Sequence, residues 1–168
     1  MKYIYLLVTA LTMALCACNN NDEPVAERNL PISRNYLPTT VTFSPDDKEM
    51  TDKLKGWADR QIIVNSLSEL PDDPLGFSEA YTSINFSEST LLLNYNVHDW
   101  TIDTYRNRYY LDKDGVYNWS INIGTATKLD DPTTRLYFTR YAILVNKLPE
   151  DKDVRVWLAL GSLNWDWD

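Results

Sequence analysis

The chain has 168 residues with 24 acidic against 16 basic side chains and a formal net charge of −8. That balance, with no run of Lys and Arg in the sequence, argues against a nucleic-acid partner, and it sets the protein against anionic lipid headgroups. The two cysteines, Cys16 and Cys18, both lie near the N-terminus, so the remainder has no thiol for a disulfide framework or a thiolate metal site.

At the N-terminus, Met1-Lys2-Tyr3 makes a short positive end and residues 4–15 form an unbroken apolar or neutral run. A spanning helix needs about 20 apolar residues, whereas a signal-peptide core needs about 7 to 15 followed by a small residue at the cut. Leu15-Cys16-Ala17-Cys18 provides that ending and resembles the lipobox of bacterial lipoproteins, with Leu15 at the apolar position, Ala17 as the small residue and Cys18 as the acceptor. The resemblance implies a signal peptide over residues 1–17, lipidation of Cys18 by diacylglycerol, and a mature chain whose membrane partner is reached through its acyl chains. A cut before Cys16 would place the bulky Leu15 at the scissile bond. The alternatives are an ordinary secreted protein with an incidental cysteine, or a buried N-terminal helix.

Residues 18–40 turn polar and proline-spaced, beginning Asn19-Asn20-Asn21-Asp22-Glu23-Pro24, and are expected to be a flexible tether. Asp22-Glu23 so close to Cys18 resembles the export signal on surface lipoproteins of the Bacteroidota, which implies outer-membrane placement facing outward. The alternative is a solvated linker with two incidental charges.

Residues 41–168 are the size of one domain and contain no internal repeat. The first element is expected to be a short helix, with Ser44 as cap, Pro45 at the first position, Asp46 and Asp47 at the positive end, and Gly56 as the stop. Met50, Leu54 and Trp57 then share one face. The period next changes to that of strands: residues 61–65 are short and β-branched, residues 90–95 are leucine-rich, and residues 116–123 alternate, with Tyr117, Trp119, Ile121 and Ile123 on one side. Asp114-Gly115 predicts a hairpin joining residues 108–111 to 116–119.

A second hairpin is predicted between residues 136–145 and 154–160 across the polar turn 147–153. Leu163, Trp165 and Trp167 alternate with Asn164, Asp166 and Asp168 as a terminal edge strand. The expected fold is mainly β, with α+β as the variant: an antiparallel sheet, as a sandwich or partial barrel, with one or two short helices.

Ile62-Ile63-Val64-Asn65-Ser66, Glu69-Leu70-Pro71, Ile84-Asn85-Phe86-Ser87 and Thr90-Leu91-Leu92-Leu93 together resemble a pattern in small Bacteroidota cell-envelope lipoproteins of unknown function. They are also similar to the C-terminal domain of the protease-complex subunit PrcB, with Asn85 where that pattern has Asp. The likeness runs over the motifs from Ile62 to Leu93 and implies a non-catalytic, protein-associating domain. Its physical content is a capping box at Ser66-x-x-Glu69 and an apolar entry to a strand at Ile84 and Phe86.

Candidate chemistry is sparse. His98, the single histidine, sits beside Asp99 in what reads as a solvated loop, and no nucleophile-elbow motif accompanies it. Asp112-Lys113-Asp114-Gly115 fails as a calcium loop, because setting Gly115 at the invariant glycine puts Tyr110 at the first ligand position. No metal or cofactor is expected.

Six Trp and 11 Tyr against 4 Phe favour a binding surface, since both join a large apolar area to a polar handle. Trp57, Trp119 and Trp157 fall within regular patterns and read as packing residues. Trp100, Trp165 and Trp167 lie beside charges and are the candidate ligand-binding residues. The resulting reading is a monomeric, non-enzymatic accessory or binding lipoprotein for a protein or glycan partner. The alternative is a surface glycan hydrolase using paired carboxylates.

Overall fold

The computed structural model describes residues 26–76, 79–128 and 135–160. The expected signal peptide, Cys18, the first part of the expected tether, and Trp165 and Trp167 lie outside the described residues. In chain order the elements are β1 (Arg28–Asn29), β2 (Ile32–Phe43), α1 (Lys48–Lys55), β3 (Gln61–Val64), a 3-10 turn (Leu67–Glu69), α2 (Glu79–Thr82), β4 (Ser89–His98), β5 (Trp100–Leu111), β6 (Tyr117–Lys128), β7 (Leu136–Asn146) and β8 (Val154–Leu160). They form two four-stranded sheets, sheet A in the order β1-β5-β6-β8 and sheet B in the order β2-β7-β4-β3. The fold is a mainly β sandwich, as expected, and every strand pair is antiparallel except β6 with β8.

The inter-sheet core joins Tyr109, Trp119, Ile121, Ile123 and Val154 of sheet A to Leu92, Tyr141, Ile143 and Val145 of sheet B. A second apolar layer covers the other face of sheet B, where Leu91, Leu93, Tyr95, Phe138 and Ala142 meet Leu54 of α1 and Tyr81 of α2. Strands β4 and β7 are therefore buried on both faces, which explains their near-continuous apolar runs. Sheet A has one face in the core and one in solvent, hence the clean alternation of β6.

The hairpin β5–β6 forms as predicted, with Tyr109 opposite Trp119 and Leu111 opposite Tyr117. Its turn is held by Asp112, whose Oδ1 accepts from the backbone of Asp114 and Val116, both at 2.9 Å. Gly115 supplies the left-handed conformation (φ +75°) that returns the chain to the ladder.

The tether does not extend to residue 40. Residues 28–29 pair with β5 and residues 32–43 with β7. The segment reads as linker because it is an edge strand with most side chains exposed, and Pro38 is accommodated where the register shifts between Tyr36 and Thr39. The second predicted hairpin is also corrected: β7 belongs to sheet B, whereas β8 crosses to sheet A and runs parallel to β6. The crossover begins where Lys147 Nζ donates to the carbonyls of Asn65 (2.8 Å) and Phe86 (2.9 Å) and buried Leu148 donates its N–H to Thr90 Oγ1 (3.0 Å).

Three local expectations shift. Helix α1 is capped by Asp47, which accepts from Met50 N at 3.1 Å, rather than by Ser44; Thr51 and Leu54 are buried and Met50 is exposed. Glu69 reaches past Ser66 to the N–H of Asn65 (2.7 Å). Ile84 and Phe86 pack against the second layer from a turn preceding β4 instead of entering it.

Candidate functional site

The alternation that buries one side of sheet A sets out the other. On β5 the outward residues are Arg106, Arg108 and Tyr110, on β6 Asn118, Ser120, Asn122 and Gly124, and on β8 Arg155, Trp157 and Ala159, each set lying between inward core residues. The register aligns them in rows: Asn29, Tyr110, Asn118 and Arg155; then Arg108, Ser120 and Trp157; then Arg106, Asn122 and Ala159.

Trp157 is the outlier among the tryptophans of regular elements. Its relative exposure is 55%, against 0% for Trp119, whose Nε1 donates to Asn107 Oδ1 at 2.9 Å within the core. The indole of Trp157 is oriented by a bond from its Nε1 to Asn118 Oδ1 (3.1 Å), and Asn118 is held in turn through Nδ2 by Asp112 Oδ2 (3.1 Å) and the carbonyl of Val116 (2.8 Å). An exposed aromatic ring is thus fixed on a rigid strand by a chain of bonds ending in a tight turn. Beside it the guanidinium of Arg108 lies over Tyr110 (4.3 Å to the centroid), donates Nε to Asn29 Oδ1 (2.7 Å) and pairs with Glu27.

The reading of Trp157 as a packing residue is therefore corrected. The inward set Val154, Val156 and Leu158 already placed Trp157 on the opposite side, so the period of β8 itself contained the signal.

Trp100 is placed differently. Its ring stacks on His98 (4.6 Å between centroids), and its Nε1 is buried with no hydrogen-bond partner. His98 is not in a solvated loop: it is the last residue of β4, buried, and flanked on its other side by Tyr137 (5.6 Å). Nδ1 contacts the carbonyl oxygen of Trp100 at 2.7 Å, so it carries the proton, and Nε2 accepts from Thr139 Oγ1 at 2.8 Å. Burial is the main cause that pushes the imidazole pKa below its ordinary value, against a smaller opposing pull from the Trp100 carbonyl and the charge of Asp99. A neutral histidine with both nitrogens occupied is a packing residue rather than a poised base.

The buried carboxylate among the described residues is Asp73. Its Oδ2 accepts from Tyr95 Oη (2.7 Å) and Arg140 Nη1 (2.8 Å), its Oδ1 accepts from Leu75 N (2.7 Å), and Arg140 Nη1 also donates to the carbonyl of Gly76 (2.6 Å). Every oxygen of this carboxylate is thus taken by a donor of the protein itself. The carboxyls of exposed Glu69, half-buried Asp112 and exposed Asp151 titrate low, chiefly through the N–H of Asn65, the N–H of Val116 and the ammonium of Lys152 respectively.

Among the described residues no group of three His, Cys, Asp or Glu side chains could hold a metal ion. No helix among them is long and apolar enough to cross a membrane. No family model, curated protein or solved structure matches the chain.

Proposed function

We propose that this chain is an exported, lipid-anchored binding protein of the cell envelope, without catalytic activity of its own, that takes a glycan on the outer face of sheet A. The lipobox-like Leu15-Cys16-Ala17-Cys18 supports anchoring through Cys18, and Asp22-Glu23 supports placement at the outer membrane. The observation that carries the binding reading is Trp157, an exposed indole pinned by Asn118 among amide, hydroxyl and guanidinium side chains on a flat strand surface. Flat apolar rings ringed by fixed hydrogen-bonding groups suit sugars, which present a C–H face and a hydroxyl edge.

The test is glycan binding by the full chain purified in detergent, measured by calorimetry on immobilisable polysaccharides. Trp157→Ala is expected to weaken binding at least tenfold, about 1.4 kcal/mol, with an unchanged melting temperature. Equal binding by the variant removes this face from the proposal. For the anchor, Cys18→Ser is expected to move the protein from the membrane to the soluble fraction, and retention of that variant in the membrane would contradict it.

A further inference from the structure

From the charge arrangement on this face we infer that its ligand is an acidic polysaccharide, one whose sugars carry carboxylates; this rests on the glycan reading above and names the class. The chain as a whole is acidic, yet the outward positions of β5, β6 and β8 from Arg106 to Tyr110, Asn118 to Gly124 and Arg155 to Ala159 contain three arginines and no Asp or Glu. Concentrating guanidinium groups on one face of an otherwise negative molecule creates a local field that selects anions.

Two of the acids at the rim are already engaged, while Asp103 of β5 and Asp153 ahead of β8 stay exposed. Glu27 pairs with Arg108. Asp112 is committed to the backbone of Asp114 and Val116 and to Asn118, and the Arg155 charge makes the smallest contribution to its low pKa. Arg106 and Arg155 form no ion pair among the described residues, and both are exposed. They stand two rows and two strands apart, with Trp157 in the row between, on the β8 side. At about 3.4 Å per residue and 4.8 Å per strand, the two are about 17 Å apart along a diagonal. That spans several sugar units, so a chain crossing Trp157 would bring separate carboxylates to each guanidinium. The planar fork of arginine matches a carboxylate with two parallel bonds, and lysine does not.

Sheet B provides the contrast within the same molecule: its outer face is covered by α1, α2 and the segments around them, leaving sheet A as the face presented to a polymer. Binding by paired charges on an exposed surface weakens with salt, because the Debye length falls from about 10 Å at 0.1 M to about 3 Å at 1 M.

The experiment titrates the full chain in detergent with polygalacturonate, with the same polymer after carboxyl reduction, and with polyacrylate as a polyanion lacking sugar. Polygalacturonate is expected to bind at least tenfold more tightly than either comparator. Arg106→Gln and Arg155→Gln are each expected to lose fivefold or more, at unchanged melting temperature, and Trp157→Ala to lose tenfold. Equal affinity for the reduced polymer would overturn the carboxylate inference while leaving the glycan reading in place. Equal affinity for polyacrylate would reduce the face to a charge patch and overturn it too. Absence of binding to any polymer would sink both, and unchanged affinity in the two arginine variants would show that the carboxylates are read elsewhere.

Discussion

Replacing Asp73 by alanine tests whether the buried Asp73–Arg140 pair is a structural clamp or a reactive site. Both side chains are almost completely buried, at 1% and 3% relative exposure. Removal of the carboxylate leaves Arg140 Nη1 with the carbonyl of Gly76, its Nε already lacking a partner, and strands the Tyr95 hydroxyl. An uncompensated buried charge costs about 3–5 kcal/mol, and an orphaned hydroxyl about 1–3 kcal/mol. Since typical domains have only about 5–15 kcal/mol in total, Asp73→Ala should lower the urea midpoint severely or unfold the domain.

The double variant Asp73→Ala/Arg140→Met removes the stranded charge and should recover part of that loss, giving a coupling energy of at least about 2 kcal/mol in a double-mutant cycle. Equilibrium urea unfolding followed by tryptophan fluorescence measures all four corners. A single variant within about 1 kcal/mol of wild type, or a double variant whose loss equals the sum of the singles, would refute the clamp. A catalytic aspartate would behave oppositely, with stability retained and an activity lost.

Three further outcomes follow from the same geometry. Trp119→Ala should cost about 3–5 kcal/mol, as for a buried tryptophan, whereas Trp157→Ala should stay within about 0.5 kcal/mol; equal losses in thermal unfolding would mean that the two faces of sheet A are misassigned. His98 has a depressed folded pKa, so the unfolded chain binds the proton more readily below about pH 6.5. Its contribution is therefore complete above that pH and is lost as pH falls: the urea midpoint should drop between pH 7 and 5, less so in His98→Gln, and an equal pH slope in the two proteins would contradict it. Finally, a chain beginning at Val41 lacks β1 and most of β2, opens the edge of β7 and should not unfold cooperatively, while one beginning at Ala26 should; two identical denaturation curves would restore the tether boundary at residue 40.

What the sequence alone determined is whatever local period and turn chemistry dictate: the mainly β class, the alternation of β6 and the Asp112 to Gly115 hairpin. The exposure of Trp157 was legible there too, since residues two apart on a strand share a side and Trp157 falls out of step with the apolar Val154, Val156 and Leu158. Tertiary structure decided the rest, because partner choice between strands is not a local property. Strand β8 has the same apolar alternation whether it folds back on β7 or crosses to lie parallel to β6. The polar run 34–40 reads as linker because an edge strand buries little and tolerates Pro38 at a bulge. His98 looked solvated among polar neighbours until β4 and β7 brought Thr139 and Tyr137 against it, and the three arginines on the outer face of sheet A come from β5 and β8, separated by about 50 residues of chain and joined only through their shared neighbour β6.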